Sequence, residues 1–165
     1  VLDTGFFVTI AGLSVSVAGF ASLMHSFRGS TDVPVVTGWR IRYIVTGGLT
    51  LAVASLGGVV VISAADDVDL QVRLATLLAI ATAVPTSWTY RSLSDERVFR
   101  TKGERVSWVV GGVLFEVVFI SNLFFASETF LLVMWVLMLA AAMSLFVAEV
   151  SEMYRLPGNE RKEGS

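Results

Sequence analysis

The sequence contains no cysteine. That excludes disulfide staples, thiolate catalysis, iron–sulfur ligation and cysteine-type zinc sites together. It has a single histidine, His25, so bis-histidine haem ligation, the two-histidine half of a facial-triad iron site and a ferritin-like motif are also excluded. No Walker loop, GxGxxG, HExxH or Gly-x-Ser-x-Gly pattern occurs, and no segment carries arginine at every third position. Nowhere do a nucleophile, a base and metal ligands cluster at one depth, so the chain does not read as an enzyme. No cofactor is implied.

What the sequence has is apolar length. Of 165 residues, 55% are hydrophobic, and the mean hydropathy is +0.74. The apolar residues fall in five runs, 5–24, 43–63, 70–90, 106–126 and 129–150. Each is close to the roughly 20 residues that cross a bilayer core as a helix. Barrel strands are about half as long and alternate strictly, which these runs do not. A lipid environment also requires backbone groups to be satisfied within the segment, as a helix does. The expected fold is therefore an all-α integral membrane protein, a five-transmembrane-helix bundle over residues 1–150, with a charged tail at 151–165. The first run, preceded by Asp3 and by no basic residue, reads as a retained helix rather than a signal peptide.

Charge sorting orients the bundle. Of the 12 Lys and Arg residues, all but Arg73 lie in the first inter-run segment, the third, or the tail; an odd number of spans puts these three segments on one side. The positive-inside rule makes that side cytoplasmic and places the N-terminus outside, in the cell (inner) membrane. The opposite side carries Asp3, Asp66, Asp67, Asp69 and Glu128. Trp39, Trp88 and Trp108 fall at the cytoplasmic interface, where an aromatic belt is expected.

Small residues mark packing surfaces, because lipid tails give helices little hydrophobic reason to associate. In the first run Gly12, Ser16 and Gly19 share one face, and Ala11, Ser14, Ala18, Ala21 and Ser22 form a second, roughly opposite. In the second run Gly47, Thr50, Ala54, Gly57 and Gly58 share a face, and Gly48, Ala52 and Ser55 another. These faces suit either the core of a homo-oligomer or ordinary packing within one bundle. Ser127 and Glu128 leave only a tight turn between the last two runs.

Glu116 is the principal candidate for chemistry. It interrupts the fourth run near its middle, where an acidic residue costs about 2.5–3.5 kcal/mol and is retained facing a partner or a wet cavity. Arg73 is its candidate intrachain partner, forming an ion pathway or a buried ion pair; the competing reading sends Arg73 outward to Asp69 or Asp66. The Asp66, Asp67 and Asp69 cluster is a candidate outer cation site, although Asp also serves as a helix cap. His25 is a candidate pH sensor or a plain cation at a helix C-terminus. Pro85 should kink the third helix. Asn122 is polar, sits about 120° round from Glu116, and is positioned to bridge to another helix.

Three functions fit: a homo-oligomeric ion or proton channel with Glu116 near its path, a non-catalytic accessory or scaffold subunit of a larger membrane complex, and a small-molecule transporter or membrane enzyme. The implied partners are the lipid bilayer and further copies of the chain, with no nucleic acid.

Overall fold

A computed structural model describes residues 2–27, 35–93 and 102–155. These form helices α1 (Thr4–Phe27), α2 (Val35–Ala64), α3 (Val68–Leu93), α4 (Lys102–Phe125) and α5 (Glu128–Arg155), with no strand among the described residues. α1, α2, α3 and α5 are each long and apolar enough to cross a membrane; in α4 the apolar stretch is shorter, Val109–Phe125. The protein is a helical, membrane-type bundle, compatible with several passes through a bilayer.

The helices run past the apolar stretches, most clearly at α2, which begins at Val35 rather than at Tyr43. Hydropathy marks the bilayer core, whereas a helix continues into the interface as long as its backbone bonds continue. Arg40 and Arg42, expected in a loop, are therefore helical. The tail's first residues are helical too, since α5 reaches Arg155; 156–165 lie outside the described residues, as do the side chains of Trp88 and Trp108.

Cross-links between helices fix an up-and-down arrangement. The start of α1 meets the end of α2 and the first half of α5, where Phe7 packs edge-on against Trp135, with ring centres 5.5 Å apart, and lies beside Gly58. The start of α2 meets the end of α5 through Arg40 and Glu149. One end of the bundle thus carries Asp3, Asp66, Asp67, Asp69 and Glu128; we call it the acidic end, and the other the basic end.

Capping explains the sharp helix boundaries at the acidic end. Asp3 Oδ1 accepts the Gly5 N–H at 2.9 Å, and Asp67 Oδ1 accepts those of Asp69 and Leu70 at 2.8 and 3.4 Å. Ser127 Oγ accepts the Phe130 N–H at 3.3 Å. Each satisfies N–H groups that a helix leaves open at its start. Within the helices, several Ser and Thr hydroxyls donate to carbonyls one turn back, as Ser16 does to Gly12 and Thr76 to Val72, whereas the buried Ser14 hydroxyl has no partner among the described residues. The back-bonded residues leave no hydroxyl proton to be solvated in lipid.

The core has two parts. The larger, toward the acidic end and the middle, draws on all five helices: Phe7 and Ile10, Leu51 and Ala54, Val72 and Ala75, Phe119, and Leu131 and Trp135. The smaller, toward the basic end, is built from α1 and α2 alone (Val17, Ala21, Ile41, Ile44), with Leu145 and Phe146 of α5 against it.

The α1–α2 interface shows which small-residue faces pack. Ala11, Ser14, Ala18 and Ala21 are buried, as are Gly48, Ala52 and Ser55. A Cβ on Gly48 would stand 2.9 Å from the Ser14 carbonyl oxygen and 3.1 Å from the Ala18 methyl, so the backbones approach as closely as glycine allows. On α1 the other face, Gly12, Ser16 and Gly19, is exposed, and a Cβ on either glycine meets nothing within 4 Å.

Candidate functional site

Away from the acidic end the bundle opens. A cavity of about 390 Å³ lies between α2, α3, α4 and α5. α2 contributes Tyr43, Gly47 and Thr50, α3 contributes Ala83 and Thr86, and α4 contributes Gly111, Gly112, Phe115 and Glu116. α5 closes the circuit with Leu137, Met138, Ala141, Ala142 and Leu145. The wall is mostly apolar, and among the described residues no Lys, Arg or His lines it.

The sequence makes this space in a simple way. Glycine or alanine occurs on each of the four walls, beside the larger Tyr43, Phe115, Met138 and Leu145. The Cβ positions of Gly47 and Gly111 meet nothing within 4 Å. Glu116, half-buried, stands on the wall one turn after Gly112. Opposite, Thr50 Oγ1 and Thr86 Oγ1 are 3.3 Å apart. Thr86 already donates to the Thr82 carbonyl at 2.9 Å, so Thr50 is the donor in the pair. Thr86 follows Pro85, past which α3 continues to Leu93.

The expected approach of Arg73 to Glu116 is not formed. Arg73 donates from Nη1 to the Leu123 carbonyl and from Nη2 to that of Phe124 at 3.5 Å. Those carbonyls lie about two turns, roughly 10 Å, from Glu116 along α4. A helix leaves its last carbonyls without intrahelical partners, and in an apolar setting a guanidinium that can reach them is drawn there. The alternative expectation, Arg73 turned to Asp66 or Asp69, is replaced by the same contact.

A different ion pair is buried. Arg40 Nη1 donates to Glu149 Oε1 at 3.1 Å, joining the basic ends of α2 and α5. Glu149 is 2% exposed, and its Oε2 is buried with no hydrogen-bond partner among the described residues. Arg40 precedes Tyr43 by three residues and Glu149 follows Leu145 by four, so each lies one helical turn beyond a wall residue on the same face. The pair therefore lies about one turn beyond the cavity's lining, toward the basic end. Arg40 reads as a loop charge in the sequence. The available signal was Glu149 itself, an acid inside the last apolar run on the basic side.

At the acidic end polar side chains clamp the helices. Asn122, 1% exposed, donates from Nδ2 to Thr76 Oγ1 at 3.1 Å and accepts the Ser127 N–H on Oδ1 at 3.0 Å. It thus bridges α4 to α3, as expected, and also holds the α4–α5 turn, where Ala126 adopts a left-handed φ of 47°. Gln71 Nε2 donates to the Ala65 and Ile62 carbonyls at 2.6 and 3.3 Å, closing the end of α2, a contact that no local sequence pattern signals. Asp66, Asp67 and Asp69 are exposed, and Asp67 is engaged as the α3 cap. Among the described residues no three His, Asp or Glu side chains are placed together to hold a metal. His25 is exposed in the last turn of α1 and does not line the cavity.

Comparison of the chain with protein-family models, with curated proteins and with solved structures finds no match in any of the three.

Proposed function

We propose that this protein passes cations or protons across a membrane by way of the Glu116 cavity. In this reading all five helices span the bilayer, α4 included, with the basic end cytoplasmic and the acidic end outside, in the cell (inner) membrane. The sorting of lysine and arginine supports that orientation. One observation carries the function: a half-buried carboxylate stands on the wall of a cavity of about 390 Å³ within apolar helices. An acid in the middle of an apolar helix is costly and is retained where it faces a partner or a cavity. Here Tyr43, Thr50 and Thr86 supply further oxygen atoms on the same walls.

The test is flux from proteoliposomes containing the purified chain. Proton or potassium flux driven by a gradient is expected, and Glu116→Gln should reduce it or change its ion preference. No flux under either gradient, in wild type and variant alike, would remove the reading.

A second reading, an accessory or scaffold subunit, is favoured by the exposed Gly12–Ser16–Gly19 face of α1. That face also suits contact between copies in a homo-oligomer. Particle mass in mild detergent separates the arrangements: a particle of one 17.8 kDa chain would exclude a pore on an oligomer axis.

A further inference from the structure

We infer that the cavity between α2, α3, α4 and α5 takes a neutral lipophilic alcohol, which enters sideways from the bilayer and sets its hydroxyl on the Thr50–Thr86 pair. The inference goes beyond the reading above: it uses the same cavity, but depends neither on ion passage nor on Glu116.

The wall sets the body of the ligand. About 390 Å³ lies within the roughly 300–1,000 Å³ of small-molecule pockets. Leu51, Phe115, Met138 and Leu145 give the space a largely apolar lining. A cavity water needs two to four polar partners, and such a lining offers them at few points. An alkyl or ring body fills the space instead, restoring the dispersion contacts that a void forfeits.

The threonine pair sets the polar end. Thr86 spends its one hydroxyl proton on the Thr82 carbonyl, at 2.9 Å. Thr50 therefore spends its own on Thr86 Oγ1, across 3.3 Å. A hydroxyl oxygen has two acceptor lone pairs; Thr86 has used one on Thr50, and Thr50 has used neither. Toward an occupant the pair thus accepts hydrogen bonds and donates none. It carries no charge, so its complement is a neutral donor, and a hydroxyl is the simplest. A plain hydrocarbon would leave these oxygens against apolar matter, at a cost. An ether would bring only more lone pairs.

The helix order sets the route. Around the cavity α2 packs on α3, α3 on α4, and α2 on α5, whereas α4 touches α5 little. Three lining residues are exposed at that weak seam, Gly111 on α4 and Leu137 and Ala141 on α5. Val110, Val113 and Val136 beside them are exposed and apolar, so the mouth faces lipid. Thr50 and Thr86 join α2 to α3, across the circuit from this mouth. A molecule already dissolved in the bilayer can enter hydroxyl first, reach the pair, and leave its body against the apolar walls.

The test is photolabelling of the full chain in proteoliposomes with dodecanol carrying a mid-chain diazirine, read by mass spectrometry. Saturable labelling is expected on the cavity wall, between Gly111 and Phe115 of α4 and between Leu137 and Leu145 of α5. Excess dodecanol should compete; dodecyl methyl ether, which has the same chain and cannot donate, should not. Replacing both threonines, Thr50→Val with Thr86→Val, should weaken labelling roughly twofold to tenfold, the range of a lost neutral hydrogen bond. Ala141→Phe narrows the mouth and should weaken it as well. That variant leaves the α2–α3 seam intact, so it decides the matter even where the threonine variant is unstable. Absence of saturable labelling at the cavity overturns the inference. So does equal competition by the ether, or labelling that either folded variant leaves unchanged. Ion flux from the same proteoliposomes separates the two claims. Flux without saturable labelling would sink this inference and leave ion passage standing; labelling without flux would do the reverse.

Discussion

Gly58 and Gly47 lie about three turns apart on α2, and they meet different surroundings. A Cβ on Gly58 would stand 2.7 Å from the Phe7 ring, itself fully buried beside Trp135. A Cβ on Gly47 would meet nothing. The same contrast runs through the two halves of the bundle. The acidic half closes through many independent contacts: the large core, the Asn122 bridge, the Gln71 and Arg73 caps, and Ser127. The basic half has a smaller core, a cavity, and a buried ion pair at its end. Rigidity and space are therefore segregated along the bundle axis. The carboxylate at Glu116 sits where the space is, and the helix-capping groups sit where it is not.

That contrast predicts where the protein is most easily broken. In the acidic half no single contact carries the closure, whereas in the basic half Arg40 and Glu149 tie α2 to α5. Removing one member of a buried pair leaves the other charged and uncompensated, at a cost of about 3–5 kcal/mol. Arg40→Met should therefore lower stability by about that amount, read from the unfolding midpoint in mixed micelles of mild detergent and SDS. The double variant Arg40→Met with Glu149→Leu should recover most of the loss, because matched apolar residues often replace a buried pair at little cost. A single variant with near wild-type stability would show that the pair does not hold the basic half together.

The next effect tests the tight half. At Gly48 the added methyl meets backbone, the Ser14 carbonyl oxygen at 2.9 Å, and at Gly58 it meets a ring without room to move. Overpacking of this kind costs about 1–3 kcal/mol, partly offset by the roughly 1 kcal/mol by which alanine exceeds glycine in a helix. Gly48→Ala and Gly58→Ala should each show a net loss in the same titration. Gly57→Ala should cost less than either, although its nearest contact is shorter: that contact is the end of the Leu78 side chain, which can rotate away. If all three cost the same, the backbone approach of α1 and α2 is not what limits the packing.

How far these features were legible in the sequence depends on how local they are. Apolar run length is local, so the helices were readable from it, though not the turns that extend them through the interface. Glu116 was readable because an acid in an apolar run is anomalous wherever its neighbours lie. Pairings were not. Arg73 is one turn into α3, and which group it meets depends on where α4 ends; the Ala126 turn decides that. Two small-residue faces on α1 looked equivalent, and only the position of Gly48 against Ser14 and Ala18 shows which one packs within the chain. Arg40 and Glu149 are 109 residues apart, and no local pattern connects them.

The smallest expected effect is the most informative about the cavity. Gly47→Ala places a methyl at the cavity wall, in open space. With no collision to set against alanine's helical advantage of about 1 kcal/mol, stability should stay level or rise slightly in the mixed-micelle titration. The outcome discriminates because a void lined by small residues can also collapse in a bilayer, α4 and α5 closing onto α2. Gly47 would then meet a neighbour as Gly58 meets Phe7, and alanine would cost as much at one position as at the other. A loss at Gly47 equal to that at Gly58 would thus erase the difference between the two halves. A level or raised midpoint at Gly47, beside a clear loss at Gly58, would mean that the space around Glu116 persists in the folded protein and is available to be filled.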